Sequence, residues 1–130
     1  MTELLSPAGG REALVAAVQN GADAVYMGFG SFNARRSARN FSDEEFLAAV
    51  RYCHLRGVKV YLTLNTLVLD REMQRAADLI RMAAAFGVDA FIVQDLGVVS
   101  LCKEIAPDVP VHASTQMSIH SLEGVLEAAA

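Results

Sequence analysis

The sequence predicts an α/β fold of about five strand–helix units in strict alternation, and three observations lead there. A short pattern recurs: Asn20-Gly21-Ala22-Asp23-Ala24-Val25-Tyr26 is echoed by Arg56-Gly57-Val58-Lys59-Val60-Tyr61-Leu62 and by Phe86-Gly87-Val88-Asp89-Ala90-Phe91-Ile92. The glycines are 36 and 30 residues apart, a spacing that suits a repeated helix–strand unit. Each glycine stands where a helix should end, a position that takes the left-handed conformation open to glycine without steric cost. The run after it is short and rich in β-branched and aromatic residues, as a buried strand is. Strict alternation of strands and helices demands a parallel sheet.

The elements follow in order. A strand over 3–6 precedes a helix over 11–20, and a strand over 23–28 follows the first glycine. Ser42-Asp43-Glu44-Glu45 is a capping box, in which hydroxyl and carboxylate satisfy orphan N–H groups reciprocally. It opens a helix over 43–56 that sets Phe46, Leu47, Ala49, Val50 and Cys53 at helical spacing. The strand over 58–64 places Val60, Leu62 and Leu64 on one face and Tyr61, Thr63 and Asn65 on the other. Asp70 is expected to cap a helix over 71–86, followed by a strand over 89–94. A helix over 97–106 ends at the loop bracketed by Pro107 and Pro110, and a strand over 110–114 and a helix from about 121 complete the chain.

The two-faced strand over 58–64 favours a TIM-barrel-like (β/α) architecture. A doubly wound sheet buries both faces of a central strand under helices, whereas the inside of a barrel is often mixed. A closed eight-unit barrel takes about 250 residues. The 130 residues are therefore expected to be the N-terminal part of a single, longer barrel domain. The chain stops at Leu126-Glu127-Ala128-Ala129-Ala130, inside an amphipathic helix. Five strands would leave two open sheet edges, so self-association through them is expected.

Composition narrows the class. With 53% apolar and 20% charged residues, the chain is not disordered. Apolar runs such as Ala83-Ala84-Ala85-Phe86 fall far short of the ~20 residues a membrane span requires. Glu3, with no basic segment before an apolar stretch, speaks against a secretory leader. Cys53 and Cys102 have neither disulfide-framework nor metal-knuckle spacing, which favours a reducing, cytoplasmic setting. A net charge of −4 argues against a nucleic-acid-coating surface but leaves room for a local basic patch.

In such barrels the chemistry sits at the C-terminal ends of the strands. Those positions are Ser6-Pro7-Ala8-Gly9, the segment from Gly28 to Arg39, Asn65-Thr66, Gln94-Asp95 and His112-Ala113-Ser114-Thr115-Gln116. Polar residues gather there, while the strand starts read as largely apolar. Alternation puts His112, Ser114 and Gln116 on one face, where they either satisfy backbone groups at a strand end or point into a substrate pocket. The catalytic candidates are His112, Ser114 and Asp95. A hydrolytic relay through them is awkward, because residues two apart on a strand stand ~6.5–7 Å apart, and no G-x-S-x-G elbow exposes a serine. The substrate-binding candidates are Asn65, Gln94, Gln116, Arg35 and Arg36. The last two, with Arg39, lie on a long loop and form either a solvated surface or a clamp for phosphate or carboxylate. Lys59 at a strand start and Lys103 inside a helix leave no lysine for a Schiff base at a strand end. Zinc at Cys53-His54 is disfavoured because adjacent helical residues point apart. Both cysteines read as buried, and His54 and His120 as surface residues.

The strand-end motifs resemble those of the collagenase-like peptidase family U32. The resemblance runs through Glu3-Leu4-Leu5-Ser6-Pro7-Ala8-Gly9, the Asn20–Tyr26 pattern, Phe32-Asn33-Ala34-Arg35 with Asn40-Phe41, and Gly57–Tyr61 with Leu64-Asn65-Thr66. It continues through Val93-Gln94-Asp95 with Gly97 and His112-Ala113-Ser114-Thr115-Gln116, essentially the whole chain. It implies a TIM-barrel-like domain in a longer parent, with an iron–sulfur cluster on cysteines beyond residue 130. No cofactor is expected within these residues, since Cys53 and Cys102 match no cluster motif of the family.

The family's members are described as collagen-degrading peptidases or as hydroxylation factors, acting on tRNA, on ribosomal RNA or in ubiquinone synthesis. Ser118-Ile119-His120-Ser121-Leu122-Glu123-Gly124 is most similar to the ribosomal RNA branch. The resemblance therefore implies a parent that is an iron–sulfur-dependent RNA hydroxylation factor. A collagenase-like peptidase acting on a peptide and a non-catalytic module binding RNA or a partner stand as alternatives, and the isolated fragment is expected to be inactive.

Overall fold

The computed structural model describes residues 1–28 and 41–130. Five strands alternate with five helices: β1 (Leu5–Pro7), α1 (Arg11–Gln19), β2 (Ala24–Gly28), α2 (Asp43–His54), β3 (Lys59–Leu64), α3 (Met73–Phe86), β4 (Ala90–Val93), α4 (Leu96–Ile105), β5 (Val111–Ala113) and α5 (Leu122–Ala129). The strands form one parallel sheet in the order β1-β2-β3-β4-β5. Sequential neighbours in space are what a barrel wall requires.

The two faces of the sheet are unlike. Val25, Met27, Val60, Leu62, Leu64, Phe91 and Val93 pack under Leu14 of α1, Phe46 and Val50 of α2, Ile80 of α3 and Val98 of α4 in one buried core. The opposite face holds a small cluster of Ala24, Tyr61 and Ala90, with Tyr26 and Ile92 against it and no helical residue in it. Helices thus cover one side, as the mixed face of β3 predicts. Along α5, Leu122, Val125 and Leu126 are exposed.

The helix ends follow their local chemistry. The Ser42 hydroxyl accepts the Glu45 N–H at 3.2 Å, and the Glu45 carboxylate accepts the Ser42 N–H at 3.4 Å. Gly21, Gly57 and Gly87 all take positive φ, at 93°, 71° and 89°. Asp70 does not cap α3. A 3₁₀ turn over Asp70–Glu72 intervenes, and the Glu72 carboxylate instead accepts the Leu69 N–H at 2.9 Å.

The strand starts depart from the largely apolar reading. Asp23 donates its N–H to the Leu4 carbonyl at 2.9 Å, and its carboxylate accepts the Leu4 N–H at 2.7 Å. Asp89 does the same to Val60, with both bonds at 2.8 Å. Each Gly-x-Asp turn therefore clips both backbone groups of one residue on the neighbouring chain segment, which matters because buried backbone polar groups need partners. His54 lies at the surface, as expected, and its Nε2, 2.7 Å from Asp89 Oδ2, ties the end of α2 to the same clip.

A Cβ added at Gly87 would find only His54 Cε1, at an ordinary 3.8 Å, so replacement costs backbone conformation and not space. Gly87→Ala should lower stability by roughly 1–2 kcal/mol, the cost of the left-handed conformation for an L-residue. A urea melt reads this as a lower midpoint with unchanged slope.

Candidate functional site

The upper ends of the strands bring several of the expected residues into one region. Register pairs Leu64 with Val93 and Val93 with Ala113, so Asn65, Gln94 and Ser114 follow side by side one residue further on. Gln94 Nε2 donates to the Gln116 carbonyl at 3.2 Å and joins the fourth and fifth units at the rim. Both glutamines also border a groove of about 710 Å³ that runs between α4 and α5 past Val99 and Met117. Arg35, Arg36 and Arg39 lie outside the described residues.

The three catalytic candidates have separate surroundings. Asp95 is the N-cap of α4, its Oδ1 accepting from Gly97 at 2.7 Å and from Val98 at 3.3 Å. Its Oδ2 accepts the Val68 N–H at 3.1 Å and so anchors the loop after β3. The buried Ser114 hydroxyl caps the 3₁₀ turn over Thr115–Met117 by accepting the Gln116 N–H at 3.2 Å. His112, in the middle of β5, meets the ring of Tyr61 edge-on, with centroids 5.0 Å apart and planes at 81°. Among the described residues no hydrogen bond links His112 to Asp95 or Ser114.

Sequence reasoning missed the pairing of two groups here, Tyr61 and Glu3. Tyr61 is buried, and its hydroxyl donates to both Glu3 oxygens, at 2.9 and 3.0 Å. Burial, then the hydrogen bond and charge of Glu3, with Asp89 adding to them, push the phenol up to about 12. Alternation along β3 had already put Tyr61 on the mixed face, but no local signal tied it to a residue 58 positions away. Thr66 at the rim keeps a buried Oγ1 with no hydrogen-bond partner among the described residues.

No group of three or more His, Cys, Asp or Glu that could hold a metal occurs among the described residues. The cysteines do not fit an iron–sulfur cluster. Cys53 on α2 and Cys102 on α4 are buried in the helical core, and burial pushes their thiols up to about 11 and about 12. A cluster ligand is a thiolate, and raised thiols of this kind are inert. Among the described residues no helix is long and apolar enough to cross a membrane.

The parallel sheet, with helices on one face and polar groups at its upper ends, defines a partial TIM-barrel-like α/β fold. It belongs to peptidase family U32, whose model matches residues 9–129. The chain is 44% identical over 123 residues to the 23S rRNA 5-hydroxycytidine synthase of Escherichia coli, covering 93% of this chain and 18% of that protein. It is 40% identical to a tRNA hydroxylation protein P of Helicobacter pylori (92% and 29% covered) and 37% identical to a collagenase of Porphyromonas gingivalis (95% and 30% covered). It therefore spans less than a third of the length of these relatives. The solved structure of the U32 peptidase Mk0906 superposes with a TM-score of 0.73 at 17% identity, over 95% of this chain and 53% of that one, and shares its fold.

Asp95→Ala should cost about 1–2 kcal/mol through loss of the helix cap, more if Val68 stays unsatisfied, read as a lower melting midpoint. Cys53, Cys102 and Tyr61 all bind their protons more tightly when folded than their ordinary values of 9.0 and 10.0 allow. Their contribution is complete below about pH 9 and is lost as pH rises through 11 to 12, because the unfolded chain releases these protons first. Urea midpoints should fall across that window, with a shallower fall in Cys102→Ala.

Proposed function

We propose that this chain forms part of the barrel of a U32 protein that hydroxylates a pyrimidine of ribosomal or transfer RNA. The observation carrying this reading is the separation of Asp95, His112 and Ser114 at the rim. Asp95 caps α4, Ser114 caps a 3₁₀ turn and His112 faces an aromatic ring, which supports this reading over a hydrolytic relay. The rim instead offers the uncharged amides of Asn65, Gln94 and Gln116, groups suited to hydrogen-bonding the edge of an unstacked base. Relatives named for rRNA and tRNA hydroxylation support the substrate class.

Hydroxylation replaces a C–H bond with C–OH and needs an oxygen donor and a redox centre. In this reading an iron–sulfur cluster supplies the redox chemistry from ligands outside these residues, and Cys53 and Cys102 take no part. The role of this chain's residues is to bind and orient RNA at the barrel mouth. The setting of such a reaction is the cytoplasm.

The full-length protein should be incubated separately with unmodified RNA and with gelatin. The expected result is one added oxygen on a pyrimidine nucleoside, detected by mass spectrometry, with gelatin intact. Gelatin cleavage that disappears in His112→Ala or Ser114→Ala would establish the peptidase instead. RNA bound with a steep salt dependence but left unmodified would identify a binding module.

A further inference from the structure

One row below the rim amides, the inner face of the sheet carries an aromatic assembly with no part in holding the helices. Thr63, Ile92 and His112 lie side by side across β3, β4 and β5. His112 is exposed, and among the described residues its ring meets the perpendicular ring of Tyr61. That ring is immobilised from below: it is buried, and its hydroxyl is moored to both oxygens of Glu3. Lys59 Nζ stands 4.0 Å from the same carboxylate. A histidine that ligates a metal or shuttles protons usually has one ring nitrogen fixed by a hydrogen-bond acceptor. Among the described residues His112 makes no such bond; its plane is set by a ring contact. An exposed flat ring, oriented from behind by another ring, is suited to stacking on a third.

We propose that His112 is the stacking platform for a single pyrimidine base drawn into the barrel mouth, and that Tyr61, moored by Glu3, is the positioning residue that sets its plane. The proposal rests on the RNA reading above and deepens it. Stacking is indifferent to the exact base, so the neighbouring Gln94 amide, whose Nε2 already donates to Gln116, supplies an edge contact through its Oε1.

The test follows the His112 ring protons by NMR while the full-length protein is titrated with cytidine 5′-monophosphate and, separately, with ribose 5-phosphate. The expected result is a saturable upfield ring-current shift with the nucleotide and none with the sugar phosphate. His112→Phe, which keeps a flat ring, should retain most of the affinity, whereas His112→Ala should lose roughly tenfold or more. Tyr61→Phe keeps the ring but cuts the mooring, and should shrink the ring-current shift more than it weakens binding. Equal shifts with ribose 5-phosphate, or unchanged affinity in a folded His112→Ala, would overturn the proposal. In the full-length protein, RNA hydroxylation with KM unmoved by His112→Ala would overturn the stacking role and leave the RNA reading intact. Nucleotide stacking on His112 with no RNA hydroxylated would uphold the platform and remove that reading.

Discussion

A parallel strand with one apolar and one mixed face can be satisfied only if its helices lie on one side. β3 imposes this constraint at the centre of the sheet. Val60, Leu62 and Leu64 require a helical roof, whereas Tyr61 and Thr63 look the other way, where Tyr61 packs among the described residues with Ala24 and Ala90 of the neighbouring strands. The right-handed crossover between successive strands then carries α1 to α4 to the same side, and every strand delivers its C-terminal end to one rim. The proximity of Gln94 and Gln116, from separate units, follows from that geometry.

What was legible in the sequence was what short-range chemistry dictates. Glycine at a helix end, the Ser42–Glu45 box and the alternation along β3 each concern residues a few positions apart, and each stands in the structure. What was not legible depends on strand register. Tyr61 finds Glu3 across 58 positions and His54 finds Asp89 across 35, and no periodicity encodes such pairings. The Asp70 reading failed because the chain tightens into a 3₁₀ turn before α3 and Glu72 takes the capping task. At the rim, Asp95 and Ser114 have the residue types of catalysis, but their bonds are those of caps. A sequence does not distinguish these roles, because the same lone pairs serve both.

The division of labour between the two ends of the sheet is chemical. The lower end uses charged side chains on backbone and on one another: Asp23 on Leu4, Asp89 on Val60 and His54, and Glu3 on Tyr61. The upper end carries amides, the Asp95 carboxylate, a buried Thr66 hydroxyl without a partner among the described residues, and an exposed imidazole. Carboxylates tie neighbouring segments together at the lower end, while at the upper end Asp95 does so beside the amides.

The Gly-x-Asp clips also govern where this architecture can grow. Each clip grips both backbone groups of a single residue next door, so adding one amino acid to a lower turn would pull the carboxylate off its partner and displace the strand it leads into. Among the upper connections of the described residues, the one after β3 is held by the Asp95 carboxylate through a single N–H, that of Val68. Variation in size and recognition among barrels built this way is therefore channelled to one side, and new substrates are met by remodelling the mouth over an unaltered floor.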